Sequence, residues 1–140
     1  MNDSIQDVMT DTPCALDVTT PVLSAARVMR EHHIGNIVVL DGDQLFGILT
    51  DRDIVVRAVA EDNDPETTTI GEVCSRDLST IRAKDSIGSA VRLMRERALR
   101  RLPVVDDRGR IVGIVSLGDL AVEHDRRSAL ADISAAPPNV

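Results

Sequence analysis

The chain repeats itself, and the repeat limits what it can fold into. Displaced by 65 positions, Asp7-Val8-Met9-Thr10 falls on Glu72-Val73-Cys74-Ser75, and Met29-Arg30-Glu31 on Met94-Arg95-Glu96. One extra residue in the second copy raises the displacement to 66, after which Gly47-Ile48 meets Gly113-Ile114 and Asp53 meets Asp119. A chain of 140 residues built from two such copies has little room for anything else. Each copy carries one string: Gly, two apolar residues, Thr or Ser, two variable residues, then Asp. The strings are Gly47-Ile48-Leu49-Thr50-Asp51-Arg52-Asp53 and Gly113-Ile114-Val115-Ser116-Leu117-Gly118-Asp119.

Within a copy the elements follow from periodicity and breakers. Ile5 to Met9 reads as a helical turn leading into the first copy, and Cys14 to Val18 as a short extended piece. Thr20 is an expected N-cap with Pro21 at the first helical position, where the missing N–H is harmless. Asp85 is the expected cap in copy two. The first helix runs to His32 with Val22, Ala26, Met29 and His33 as its stripe, matched by Ile87, Val91, Met94 and Ala98. A hairpin follows, Asn36 to Leu40 and Leu45 to Leu49 around Asp41-Gly42-Asp43. Its second copy is Leu102 to Val105, a turn at Asp106 to Gly109, and Arg110 to Val115. The last helix of each copy starts near Thr50 or Ser116, and Ile54, Val55, Ala58 and Val59 recur there at helical spacing. Glu61 to Thr69 is polar, contains Pro65 and reads as the connection between copies. The residues ending in Ala-Ala-Pro-Pro are expected to fray.

The predicted fold is α+β, two β-α-β-β-α repeats. A unit of about 60 residues is marginal alone, so the two are expected to pack sheet to sheet about a pseudo-twofold axis. The expected divisions are 5–62, a linker at 63–69, 70–128, and a flexible tail at 129–140.

Composition removes several functions. Phe46 is the only aromatic residue and the net charge is −7, so neither base stacking nor phosphate attraction is supplied, and nucleic acid is excluded as an expected partner. No apolar run approaches the roughly 20 residues of a membrane span. The acidic start, Asn2, Asp3 and Asp7, is unlike a secretory leader. With two isolated cysteines, Cys14 and Cys74, a reduced cytoplasmic setting is expected. There is no Ser-His-Asp set, HExxH, Walker loop or GxGxxG, and Asp51 with Asp53 lacks a nucleophile or metal cluster, so no enzyme is expected.

With Arg101-Leu102-Pro103-Val104-Val105-Asp106 and the two strings, the repeat resembles a tandem pair of CBS domains, a Bateman module, from about Ile5 to Glu123. Thr50-Asp51-Arg52-Asp53-Ile54 is similar to small stand-alone bacterial CBS-pair proteins. The resemblance implies a regulatory ligand rather than a required cofactor: AMP, ADP, ATP, NAD or S-adenosylmethionine, held in clefts between the repeats. It also implies a homodimer through the repeat helices, and a protein target of unstated identity.

Carried over, Asp119 would take the ribose of one site, with Ser116, Gly118 and Arg101 near phosphate and Thr12, Cys14, Ile34 and Gly35 around the base. The other site would use Asp53, Thr50, Arg52 and Asn36, with Asp77, Ser79, Leu99 and Arg100 around the base. The chemistry suits these residues, because a first-turn carboxylate accepts ribose hydroxyls and helix-start N–H groups receive phosphate. Asn36 stands where the other copy has Arg101. A lost charge-assisted contact costs on the order of 1–3 kcal/mol, so the Ser116–Asp119 site is expected to bind phosphorylated nucleotide more tightly.

Plainer readings stand beside these. Asp53 and Asp119 can serve as first-turn acids favouring the helix dipole. Arg92 and Arg95 fit a solvated face, Met29 and Met94 the core. A scaffold with vestigial sites, responsive to metal or redox through Cys14 with His32 and His33, is the alternative function.

Overall fold

The computed structural model of the chain describes residues 4–11 and 13–127. A 3-10 turn at Ile5–Asp7 precedes β1 (Thr10–Asp11), β2 (Ala15–Asp17), α1 (Val22–His32), β3 (Asn36–Asp41) and β4 (Gln44–Thr50). Then come α2 (Asp51–Asp53), α3 (Ile70–Val73), β5 (Ile81–Arg82) and α4 (Ile87–Arg97). The order closes with β6 (Arg101–Val105), β7 (Ile111–Ser116) and α5 (Leu117–Arg127). After Asp53 the second helix continues in π-helical form over Ile54–Val59. The class is α+β. The tail expected to fray, 129–140, lies outside the described residues.

The chain forms two compact units. One is continuous, Pro13–Leu78; the other is built of two segments, whose described residues are 4–11 and 79–127. These are not the two sequence copies laid end to end. The Ile5–Met9 turn, read as leading into the first copy, packs in the unit of the second. Ile5 is fully buried in a core with Ile81, Met94, Leu102 and Val115. The amides of Ile5 and Gln6 donate to the carbonyls of Asp85 and Ala83 at 2.9 and 3.0 Å. Strand β1 pairs antiparallel with β7, Thr10 opposite Ile114 and Asp11 opposite Gly113. The physical reason is an edge: without β1, the open side of β7 would carry unpaired backbone groups. In the same way Ile70, Val73 and Cys74 are buried in the core of the continuous unit, and Ser75 bridges to Ile48 of β4.

The continuous unit has a sheet in the order β2-β3-β4, with β2 parallel to β3 and Asn36 opposite Thr50 in the β3–β4 hairpin. The two-segment unit has the order β1-β7-β6-β5, with Arg101 opposite Ser116. The sequence reading of three strands per copy therefore misses β1, a strand of two residues with no alternating pattern to mark it.

Two expected helix caps are corrected. Helix α1 starts at Val22 with Pro21, not Thr20, at the cap. The orphan amides of Val22 and Leu23 donate to the carbonyls of Thr68 and Pro65 at 2.8 and 2.9 Å, so the inter-copy connection caps the helix and no hydroxyl is needed. In α4 the cap is Ser86, whose Oγ accepts from the Ser89 amide at 3.1 Å. Asp85 instead accepts from the Arg82 amide at 3.0 Å and closes the turn after β5.

The helix stripes are corrected as well. Helix α1 buries Val22, Ala25 and Met29, leaving Ala26 only partly covered. His33 is exposed in the left-handed conformation (φ 54°) and donates its amide to Met29 O, as Ala98 (φ 54°) does to Met94 O. Both residues end helices rather than extend a core face, which is why so different a pair shares one repeat position. In the π-helical segment Ala58 is buried, but Val55 and Val59 are 58% and 66% exposed. Their spacing fits an α-helical core face; the i→i−5 bonds Ala60 N→Val55 O and Asn63 N→Ala58 O rotate the stripe away from it.

Candidate functional site

Each Gly…Asp string builds one local device, a strand end turned into a helix start. Thr50 Oγ1 accepts from the Asp53 amide at 3.1 Å, and the Asp53 carboxylate accepts back from the Thr50 amide at 3.0 Å through Oδ2. Ser116 and Asp119 repeat this at 3.0 and 2.9 Å. These are reciprocal capping boxes with Asp at the third helical position. The amide of the next residue is satisfied too: Asp51 N donates to Gly35 O at 3.0 Å, and Leu117 N to Arg100 O at 2.7 Å. The leading glycine has its own cause. A Cβ on Gly47 would meet Ser75 O at 2.6 Å and Cys74 Sγ at 2.8 Å, and one on Gly113 would meet Met9 Sδ at 2.6 Å and Thr10 O at 2.8 Å. So the string is a folding signature before it is a binding one.

The capping boxes leave chemistry over. An ionised carboxylate has about four lone-pair directions, and the box uses one oxygen, Oδ2, in each copy. Asp119 is half-buried, and Asp7, Val8, Val122 and Glu123 line with it a cavity of about 210 Å³. Its Oδ1 accepts from no side chain among the described residues. Asp53 differs. It is 7% exposed, and Ser75 Oγ donates to its Oδ1 and Oδ2 at 3.2 and 3.3 Å. Arg57 Nε lies 3.8 Å from Oδ1, and its Nη1 donates to Cys74 O at 3.3 Å.

The remaining sequence-predicted residues fall as follows. Thr50, Arg52, Asp53 and Asn36 come together in the continuous unit, since Asn36 is the cross-strand partner of Thr50 and Arg52 is exposed in the first helical turn. Arg101, Ser116, Gly118 and Asp119 come together in the two-segment unit in the same way, Arg101 facing Ser116 across the ladder. Of the base-contact residues, Cys14, Ile34, Gly35 and Asp77 belong to the continuous unit, and Ser79, Leu99 and Arg100 to the other. Ser79 Oγ accepts from Arg97 at 3.3 Å. Thr12 lies outside the described residues.

Sequence reasoning missed Ser75, Arg57, Asp7 and Glu123. The repeat offered a signal for three of them: Ser75 lands on Thr10, keeping a hydroxyl, and Arg57 lands on Glu123, reversing a charge.

The thiols are set by packing. Burial holds the Cys14 thiol above its ordinary value. Burial also raises Cys74, and the neighbouring Asp53 charge raises it further. Both stay protonated at neutral pH. His32 and His33 are exposed at the end of α1, and among the described residues no three His, Cys, Asp or Glu side chains are grouped to hold a metal ion.

The CBS domain family matches the chain twice, over residues 5–59 and 70–123. The chain belongs to this family. CBS domains are in general regulatory, non-catalytic modules. The chain is 38% identical to the CBS domain-containing protein YhcV of Bacillus subtilis, over 94% of this chain and 95% of YhcV. It is 42% identical to Hypoxic response protein 1 of Mycobacterium tuberculosis, over 70% of this chain and 68% of that protein. It spans 57% of the length of the uncharacterised protein MK0525 of Methanopyrus kandleri, at 34% identity over 82% of this chain. Among solved structures, Hypoxic Response Protein I with two coordinated zinc ions superposes with a TM-score of 0.77 at 36% identity, covering 86% of this chain and 98% of that one. The CBS domain pair of MJ0100, in complex with 5′-methylthioadenosine and S-adenosylmethionine, superposes with a TM-score of 0.78 at 25% identity, covering 91% of this chain and all of that one (100%).

Proposed function

We propose that this CBS-domain chain is a non-enzymatic regulatory module that binds adenosine-containing ligands at the Asp53 and Asp119 half-sites and passes the occupancy on to a partner. The observation that carries the reading is the paired capping box. In each copy a carboxylate is fixed at a helix start with acceptor capacity beyond its own cap, which is what the two hydroxyls of a ribose require. The MJ0100 complex, a relative of the same architecture holding two adenosine compounds, supports the ligand class. Thr50 and Ser116, with Arg52 and Arg101, are the groups offered to a phosphate. Occupancy alters a partner only if the ligand prefers one of two states.

A second copy of the chain is the proposed cover for the exposed Val55, Val56 and Val59, which gives a homodimer. Sedimentation of wild type and Val59→Glu tests this. Loss of the dimer in the variant supports it, and a wild-type monomer refutes it.

Thermal unfolding with AMP, ATP, NAD, S-adenosylmethionine and Zn²⁺ tests the ligand class. A ligand at 100 times its dissociation constant adds about 2.7 kcal/mol, a shift of several degrees. Stabilisation by an adenosine compound that is lost in Asp53→Ala/Asp119→Ala is the expected result. A response to zinc alone overturns the reading in favour of a metal-responsive scaffold.

A further inference from the structure

We propose that Ser75 holds Asp53 closed as an internal substitute for a ribose hydroxyl, so that Asp119 is the open half-site and Asp53 binds ligand only when the Ser75 hydroxyl gives way. This deepens, and rests on, the ribose reading of the two acids. It differs from the inequality expected from Arg101 against Asn36, because it concerns the carboxylate and not the phosphate.

The geometry is specific to one copy. Ser75 Oγ bridges both oxygens of a nearly buried carboxylate, at 3.2 and 3.3 Å. Its position does not depend on that hydroxyl, because the Ser75 amide donates to Ile48 O at 2.9 Å and its carbonyl accepts from Ile48 N at 3.0 Å. Removing the hydroxyl therefore leaves the backbone in place. Arg57 stands behind the pair at 3.8 Å, but its side chain is 54% exposed, so its attraction is largely screened. The hydroxyl is the main competitor.

The other copy preserves the backbone and omits the contact. Thr10 lies opposite Ile114 as Ser75 lies opposite Ile48. Yet among the described residues Asp119 accepts only from the Ser116 amide, and no hydroxyl reaches it. At the place of Arg57 stands Glu123, which carries no positive charge to offer. Two strings of one pattern thus present one occupied acid and one available acid.

The test uses the full chain and 5′-methylthioadenosine, a ribose compound without phosphate, in titration calorimetry. Asp119→Ala isolates the Asp53 half-site. In that background Ser75→Ala is expected to tighten binding about three- to tenfold, since one long hydrogen bond shared between two carboxylate oxygens no longer competes. Ser75→Thr, which keeps the hydroxyl, is expected to stay at the level of Asp119→Ala. Equal or weaker binding by Ser75→Ala, or equal tightening by Ser75→Thr, overturns the proposal while leaving the ribose reading intact. A ligand-independent arm measures urea unfolding of Ser75→Ala, Asp53→Ala and the double variant. Strictly additive effects also overturn it, and a coupling of threefold or more in the unfolding constant, about 0.7 kcal/mol, supports it. Should wild type bind neither 5′-methylthioadenosine nor any adenosine compound of the unfolding test, the ribose reading fails and the proposal falls with it.

Discussion

Asp53 and Asp119 have two occupations, and stability measurements separate them. Each closes a capping box, so either Asp→Ala change should cost about 1 kcal/mol. Asp53 also takes the Ser75 hydroxyl and lies beside Arg57, so Asp53→Ala should cost about 1–2 kcal/mol more than Asp119→Ala. Urea denaturation of the two variants checks the order; equal losses would mean that the extra contacts are energetically idle. The cysteines give a pH prediction. Both thiols are raised above their ordinary value of 9.0 by burial. The folded state therefore holds its thiol protons more tightly than the unfolded state. Stability is intact below pH 9 and falls as pH rises through the folded-state values. Accordingly, iodoacetamide at pH 9 should modify the native chain much more slowly than the urea-unfolded chain, and equal rates would contradict the burial. Of the residue-scale features, the paired acids were legible because they recur in register. The hydroxyl that meets Asp53 was not, because Ser75 lies 22 positions away along the chain and only folding brings the two together.

At the scale of elements, the repeat made helices and hairpins readable to within a residue or two, and failed where a partner from elsewhere replaced a local signal. Thr20 looks like a cap, but backbone carbonyls of the connection satisfy α1 instead. Ile54 to Val59 looks like an α-helical core face, but its wider turn exposes the valines. The glycines that lead the strings belong to the same class of effect. They are required not by their own conformation but by segments crossing over them, Cys74-Ser75 in one unit and Met9-Thr10 in the other. Gly47→Ala and Gly113→Ala each force a Cβ against backbone oxygen, at 2.6 and 2.8 Å. Each should destabilise by about 1–3 kcal/mol, and thermal unfolding measures it. Gly42→Ala is the control for conformation alone, since no atom lies within 4 Å of its added Cβ and only the positive φ of 62° resists.

For the whole molecule, the chain begins in one unit, builds the other completely, and returns. Hydrophobic periodicity cannot report this, because Ile5 and Ile70 carry the same pattern whichever core receives them; the edge of a sheet decides. The consequence is testable by cutting. A fragment following the sequence copy, 5–62, keeps the first copy's strands and helices but loses Ile70, Val73 and Cys74, all buried in the continuous core. It also keeps Ile5, whose partners Ile81, Met94 and Leu102 are gone. Burying an aliphatic side chain is worth about 1.5–3 kcal/mol, so losing Ile70 and Val73 alone removes roughly 3–6 kcal/mol from a domain whose total is about 5–15 kcal/mol. Fragment 13–78 keeps the entire core and the capping of α1 by Pro65 and Thr68. It should unfold cooperatively in urea, followed by circular dichroism, whereas 5–62 should show a shallow, non-cooperative loss of signal. If 5–62 proves the more stable fragment, α3 and its neighbours are dispensable to the first copy. The exchange of segments between units would then be a matter of proximity and not of stability.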